Sequence, residues 1–123
     1  MTKTILIISV LQTFPFGIGA ILVPGKLFAQ FGVGLDPGGE LIARGYGATL
    51  IGFGWVLWGL RSVQLPAMQK WLMIGLVLFN AIEAAIQCAA GLAETAQPII
   101  FGNVGLHAAM AVASLVAILR IRE

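Results

Sequence analysis

Four long apolar stretches separated by short polar breaks set the pattern of this chain. They run from Thr4 to Val23, Leu41 to Leu60, Trp71 to Gly91 and Ile99 to Leu119. Each is long enough to cross a bilayer as a helix, which takes about 20 residues. The pattern predicts an all-α fold, a polytopic membrane protein built as an antiparallel bundle of four transmembrane helices, with residues 1–123 as a single domain.

The breaks carry their own signals. Pro24 to Glu40 is too polar and too rich in glycine to span. Within it, Leu27, Phe28 and Phe31 share one face of a short helix, with Lys26 and Gln30 away from that face. Such a piece predicts either an interfacial helix after the first span or a loop packed over the bundle. Asp36-Pro37-Gly38-Gly39 reads as a turn, and Arg61 to Lys70, with Pro66, as another. Pro15 predicts a kink in the first helix, because proline removes a backbone donor and crowds the preceding turn. Lys3 before an apolar run also fits a signal peptide, but no small-x-small cleavage site follows, so the first helix is expected to be retained.

Small residues recur along three of the helices. Gly45, Gly52 and Gly59 repeat every seven residues in the second, with Ala48 and Trp55 on much of the same face. Ala81, Ala85 and Ala89 form a stripe on the third, and Gly105, Ala109, Ala113 and Ala117 on the fourth. Small residues let helix backbones approach closely in lipid, so these stripes are expected to face the bundle or a second copy. Arg44 shares the side of Ala48 and is expected to be interior.

Composition narrows the function classes. The chain is 59% hydrophobic and only 10% charged, where soluble domains carry about 25% charged residues. A net charge of +2 is too small to suggest nucleic acid. The basic residues make better sense as orienting charges. With four spans, Lys3, Arg61, Lys70, Arg120 and Arg122 share a side, whereas the other side has Lys26 with Asp36, Glu40 and Glu94. The positive-inside rule then predicts a bacterial inner (plasma) membrane protein with both termini cytoplasmic, and Trp55, Trp58 and Trp71 near the cytoplasmic ends as an aromatic belt. The single cysteine, Cys88, offers neither a disulfide nor a metal-ligand pair.

The candidate chemistry lies in polar residues inside the apolar stretches. Asn80, Glu83 and Gln87 are spaced by three and four, so they share one helix face. Asn103, His107, Met110 and Ser114 share a face of the next helix. Counting inward at about 1.5 Å per residue places Glu83 and His107 roughly 12 Å below the outer face, and Arg44, Gln87 and Asn103 roughly 6 Å. Asn80 and Gln12 come out slightly deeper than Glu83. A charge at the centre of a membrane helix costs about 2.5–3.5 kcal/mol on insertion scales, so Glu83 needs a partner, neutralisation or a wet cavity. Arg44 and His107 are the partners expected for it. The cluster of Arg44, Asn80, Glu83, Gln87, Asn103 and His107 is therefore either a ligand-binding site or a structural network that fixes helix pairing.

No cofactor is expected, and no metal. The alternative is axial ligation of haem or chlorophyll by His107, around which Gly105, Ala108 and Ala111 leave space. A lone histidine without a cysteine pair does not make a zinc site. There is no P-loop, dinucleotide fingerprint or Ser–His–Asp set. Ser9, Ser62 and Ser114 have no carboxylate or histidine at their depth to activate them.

The segment from Gly39 through Glu40, Arg44, Gly45 and Tyr46-Gly47 to Ala48, preceded by Pro24 and Phe31-Gly32, resembles small bacterial four-helix integral membrane proteins of the DoxX-like group. In that group an acidic residue, an arginine and a Tyr-Gly pair open the second helix. The resemblance covers about half of the chain. It implies a four-helix bundle and a Glu40/Arg44 pair, and no defined activity.

These readings lead first to a non-catalytic integral membrane protein, either an accessory subunit of a membrane complex or a binder of a small hydrophobic ligand. The second expectation is a membrane enzyme acting on a lipid-soluble substrate, with Glu83 as acid/base and His107 and Arg44 as orienting groups. The third is a small transporter, which would have to be oligomeric because four helices enclose little space. The partners expected are the lipid bilayer and a second copy or a larger membrane complex.

Overall fold

A computed structural model describes residues 1–121; Arg122, counted above among the cytoplasmic charges, lies outside the described residues. The described residues form five helices and no strand: α1 (Thr2–Leu22), α2 (Pro24–Ala29), α3 (Pro37–Leu60), α4 (Pro66–Leu92) and α5 (Ile100–Arg120). By its internal contacts the chain makes two compact units, Leu6–Arg61 and the segment Met1–Ile5 together with the chain from Ser62 onward.

Three of the helices, α1, α4 and α5, are long and apolar enough to cross a membrane. Leu78, Ile82 and Ile86 of α4 are exposed, as are Val112, Leu115 and Leu119 of α5. An apolar outer face of this length is what a lipid solvent requires. The chain is thus a multi-pass helical membrane protein. α3 has 24 residues against the 21 of α1. Its seven glycines, with Glu40 and Arg44, dilute its apolar content, and it is not among the three.

Prolines start helices where the sequence pattern suggested turns. Pro37 and Pro66 each stand in the first turn of a helix, α3 and α4. A proline loses nothing there, since the first N–H groups of a helix have no intrahelical acceptor. Asp36, expected in a turn, caps α3: its Oδ1 accepts from Gly39 N at 2.6 Å. The connection between α3 and α4 therefore shrinks from the ten residues 61–70 to the five residues 61–65. α1 continues through Pro15 as one helix.

In the unit Leu6–Arg61, α1 and α3 approach backbone to backbone. A methyl group placed on Gly47 would stand 2.6 Å from Gly17 O and 3.0 Å from Ala20 Cβ. On Gly54 it would stand 2.6 Å from Thr13 Oγ1. Thr13 opposite Gly54 and Gly17 opposite Gly47 mean the two helices run antiparallel. Gly17, Gly47 and Gly54 are buried, with Leu50 and Leu57 on the same face of α3. The row Gly45, Gly52 and Gly59, expected to face inward, is exposed and has nothing within 4 Å of the space a methyl would fill. Ala48 and Trp55 are exposed with it.

The segment after α1 is helical and packs on its own unit. Phe28 of α2 meets Phe16 edge to face at 5.9 Å between centroids, and Phe31 lies 6.4 Å from the same ring. Tyr46 of α3 closes the group at 6.5 Å from Phe16. Lys26 and Gln30 are exposed, as the apolar face predicted. Gly32, with φ 75°, then ends the segment: Gly32 N reaches Ala29 O and Val33 N reaches Phe28 O. This paired closure satisfies carbonyls that a helix end leaves open.

In the second unit α4 and α5 pack along each other as an antiparallel hairpin. Its core includes Met73, Leu76, Asn80, Ile100, Met110, Ser114 and Ala117. α4 ends in the same kind of closure, Glu94 N to Gly91 O and Thr95 N to Ala90 O. Here Glu94 takes the left-handed conformation, φ 56°. The stripe Ala81, Ala85 and Ala89 is exposed, and on α5 only the lower end of the small-residue row, Ala117, is buried.

Candidate functional site

The polar residues of α4 and α5 meet along the hairpin in two bridges. The first is between Asn80 and His107, with Asn80 Oδ1 2.8 Å from His107 Nδ1. Asn80 Nδ2 donates to Leu76 O at 2.8 Å, one turn back on its own helix. That contact identifies Oδ1 as the acceptor, so His107 Nδ1 is the donor in this bond. Asn80 is buried, at 2% exposure, and the Phe79 ring stands edge-on to His107 at 6.0 Å.

The second bridge runs through Gln87. Its Nε2 donates to Glu83 Oε2 at 3.0 Å, and its Oε1 accepts from Asn103 Nδ2 at 2.7 Å. Glu83, Gln87, Asn103 and His107 are all half-buried. The spacing explains the arrangement. Residues 80, 83 and 87 lie on one face of α4 and residues 103 and 107 on one face of α5. The antiparallel register then sets 80 against 107 and 87 against 103. Glu83 falls between the two bridges, and its carboxylate is tied into the second.

Arg44 belongs to the other unit. Its Nη1 donates to Ile21 O at 2.5 Å, one of the carbonyls left open at the C-terminal end of α1. Its Nη2 lies 3.5 Å from Glu40 Oε2, one turn earlier on α3. Glu40 also reaches the start of α2, where its Oε1 would stand 3.1 Å from a methyl on Gly25. The Glu40/Arg44 pair therefore joins the end of α1 and the start of α2 to α3. The expectation of an interior Arg44 is corrected by its exposure, with 47% of the side chain accessible. Its guanidinium turns to the open carbonyl at the end of α1 and to the carboxylate one turn away.

Polar groups beyond the predicted cluster are also buried. Ser9 and Thr13 of α1 and Ser114 of α5 are buried. Thr13 Oγ1 donates to Val10 O at 3.3 Å, whereas Ser9 Oγ, Ser114 Oγ and Gln12 Nε2 have no hydrogen-bond partner among the described residues. The signal for the α1 set is a spacing of three and four, since Ser9, Gln12, Thr13 and Phe16 fall on one side of that helix. Among the described residues no group of three or more His, Cys, Asp or Glu side chains is placed to hold a metal ion. The nitrogen that a haem or chlorophyll metal would use is His107 Nε2, since Nδ1 is engaged by Asn80.

The arrangement is thus that of two short relays, Leu76–Asn80–His107 and Glu83–Gln87–Asn103, which join one helix to its neighbour. Asn80 and Gln87 each serve at once as donor and acceptor. Compared with protein-family models, curated proteins and solved structures, the chain matches none.

Proposed function

We propose that this chain is a non-catalytic, four-span protein of a bacterial inner membrane, with both termini cytoplasmic, acting as an accessory subunit beside another membrane polypeptide or a second copy. The observation that carries the reading is the closure of the α4–α5 polar groups on one another through Asn80–His107 and Asn103–Gln87–Glu83. Side chains spent in this way fix helix pairing. The outward rows of small residues, Gly45, Gly52 and Gly59 on α3 and Ala81, Ala85 and Ala89 on α4, support the accessory role. Such rows are what a further membrane helix needs for close approach.

The fourth span would be α3. Its 24 residues extend about 36 Å at 1.5 Å per residue, enough for a hydrocarbon core of about 30 Å. Lys3, Arg61, Lys70 and Arg120 then lie on the cytoplasmic side. Single cysteines at Gly34, Ser62 and Thr95, in a Cys88→Ala background, test this by labelling with an impermeant maleimide from either side of the membrane. Four spans place position 62 opposite positions 34 and 95. If positions 34 and 62 label from the same side, α3 does not cross.

The accessory role is tested on the intact chain reconstituted in lipid nanodiscs from native membranes. A stoichiometric complex, with itself or with a second membrane polypeptide, that persists in Glu83→Gln is the expected result. A bare monomer overturns it. So does loss of a bound small molecule in Glu83→Gln without loss of thermal stability, which would make the polar seam a binding site.

A further inference from the structure

At one end of the second unit, a half-open cavity of about 350 Å3 lies between the start of α1, the start of α4 and the end of α5. Met1, Thr2, Pro66, Gln69 and Arg120 are among the residues that line it. Arg120 is exposed, and its Nη1 reaches Met1 Sδ at 3.9 Å. A thioether is a weak acceptor, and a guanidinium has five N–H donors to satisfy. Among the described residues no carboxylate pairs with Arg120.

Lys3 and Lys70 follow the lining residues Thr2 and Gln69 in the chain. Leu65, which precedes α4, supplies no side-chain cap to the first turn of that helix. Gln69 is held in place by its Nε2, which donates to Val63 O at 2.7 Å. The cavity thus combines a planar cation that pairs with no carboxylate among the described residues with the anchored amide of Gln69, at the ends of three helices that are each able to cross a membrane.

We propose that this cavity binds a phosphate-bearing anion, and that in the membrane its occupant is the phosphodiester of an anionic phospholipid headgroup. The guanidinium fork matches two phosphate oxygens at once. A volume of this size accommodates a small polar head while the acyl chains remain in the bilayer. Basic pockets between membrane helices on the cytoplasmic side suit such headgroups. The proposal rests on the membrane orientation given above, which the cysteine labelling tests separately.

The test is native mass spectrometry of the full chain in an uncharged maltoside detergent, titrated with phosphatidylglycerol or with phosphatidylcholine of the same acyl chains. Thermal shift with inorganic phosphate alone is measured in parallel. Phosphatidylglycerol should be retained about tenfold better than phosphatidylcholine, and Arg120→Gln should remove about that factor, the loss of one charge-assisted hydrogen bond. Arg61→Gln, whose guanidinium stacks on Trp58 in the other unit, should leave retention unchanged.

Equal retention of the two lipids, with no response to phosphate, overturns the proposal. Equal losses in Arg120→Gln and Arg61→Gln also overturn it, because they would show attraction to diffuse charge. A melting shift with inorganic phosphate and no lipid preference upholds the anion site and overturns the headgroup as its occupant. If Arg120→Gln does not fold, Arg120→Lys keeps the charge without the fork and should lose part of the preference.

Discussion

The close approach of α1 and α3 makes a prediction that separates two glycines of one helix. Gly47→Ala places a methyl 2.6 Å from Gly17 O and 3.0 Å from both Ala20 Cβ and Ile21 Cγ1. A backbone carbonyl cannot swing aside as a side chain can, so the helices must separate. Overpacking of this kind costs about 1–3 kcal/mol, and the fixed neighbours put this site in the upper part of that range. Alanine regains about 1 kcal/mol over glycine in a helix interior, which offsets part of the loss. Gly52→Ala receives the same propensity gain with nothing within 4 Å to meet the methyl. Propensity therefore cancels between the two variants, and the packing term of about 2–3 kcal/mol is what remains. Both are read by unfolding in mixed micelles of a mild detergent and dodecyl sulfate, followed by circular dichroism. Gly52→Ala should match or exceed the parent, with Gly47→Ala well below both. Equal stability of the two variants would refute the Gly17–Gly47 contact.

The polar seam and the cap of α3 give two further tests. Asn80→Leu and His107→Leu should each cost about 1–2 kcal/mol, because each leaves a polar group of the other residue without its partner. The double variant should cost at least about 1 kcal/mol less than the sum of the single effects, and strict additivity in the same unfolding assay would show that the two side chains do not interact. Asp36→Ala removes the acceptor of Gly39 N and should cost about 1 kcal/mol. The loss should be local, as faster hydrogen exchange at Gly39 and Glu40, and exchange unchanged from the parent would exclude the cap.

What was legible in the sequence, and what was not, divides by the range of the contact. The faces carrying Asn80, Glu83 and Gln87 and carrying Asn103 and His107 follow from spacings of three and four within single helices. Equal depth then brought the two faces together. Which side chain bonds to which was not legible, because it depends on the register of the hairpin to within one residue. Glu83 and His107 stand at nearly the same depth, yet His107 bonds to Asn80. The small-residue rule identified α3 as a close-packing helix, but the row it named is not the one that meets α1. Gly45, Gly52 and Gly59 have the same sevenfold spacing as Gly47 and Gly54, so only the partner glycine on α1 decides between the rows. Arg44 shows the same limit: its i+4 relation to Glu40 lies within one helix, whereas Ile21 O is twenty-three residues away. The prolines misled for another reason. Pro37 and Pro66 can end a turn or begin a helix, and the residues around them do not decide which.

The two units hold their helices together by different means, and the difference follows from the solvent. Between helices in lipid, burial of apolar surface contributes little, because the acyl chains are as apolar as leucine. The unit Leu6–Arg61 relies on close backbone contact, for which Gly17 and Gly47 are required. The α4–α5 hairpin relies on side-chain hydrogen bonds. Within that seam Gln87 is the pivot, since its amide must donate to Glu83 while it accepts from Asn103. A glutamate at this position would set two carboxylates one turn apart, and a leucine would leave both Glu83 and Asn103 without a bond they now make. Only an amide of this length meets both demands. Glu83 in this apolar helix thus accepts from a glutamine one turn away that is itself held from the opposite helix.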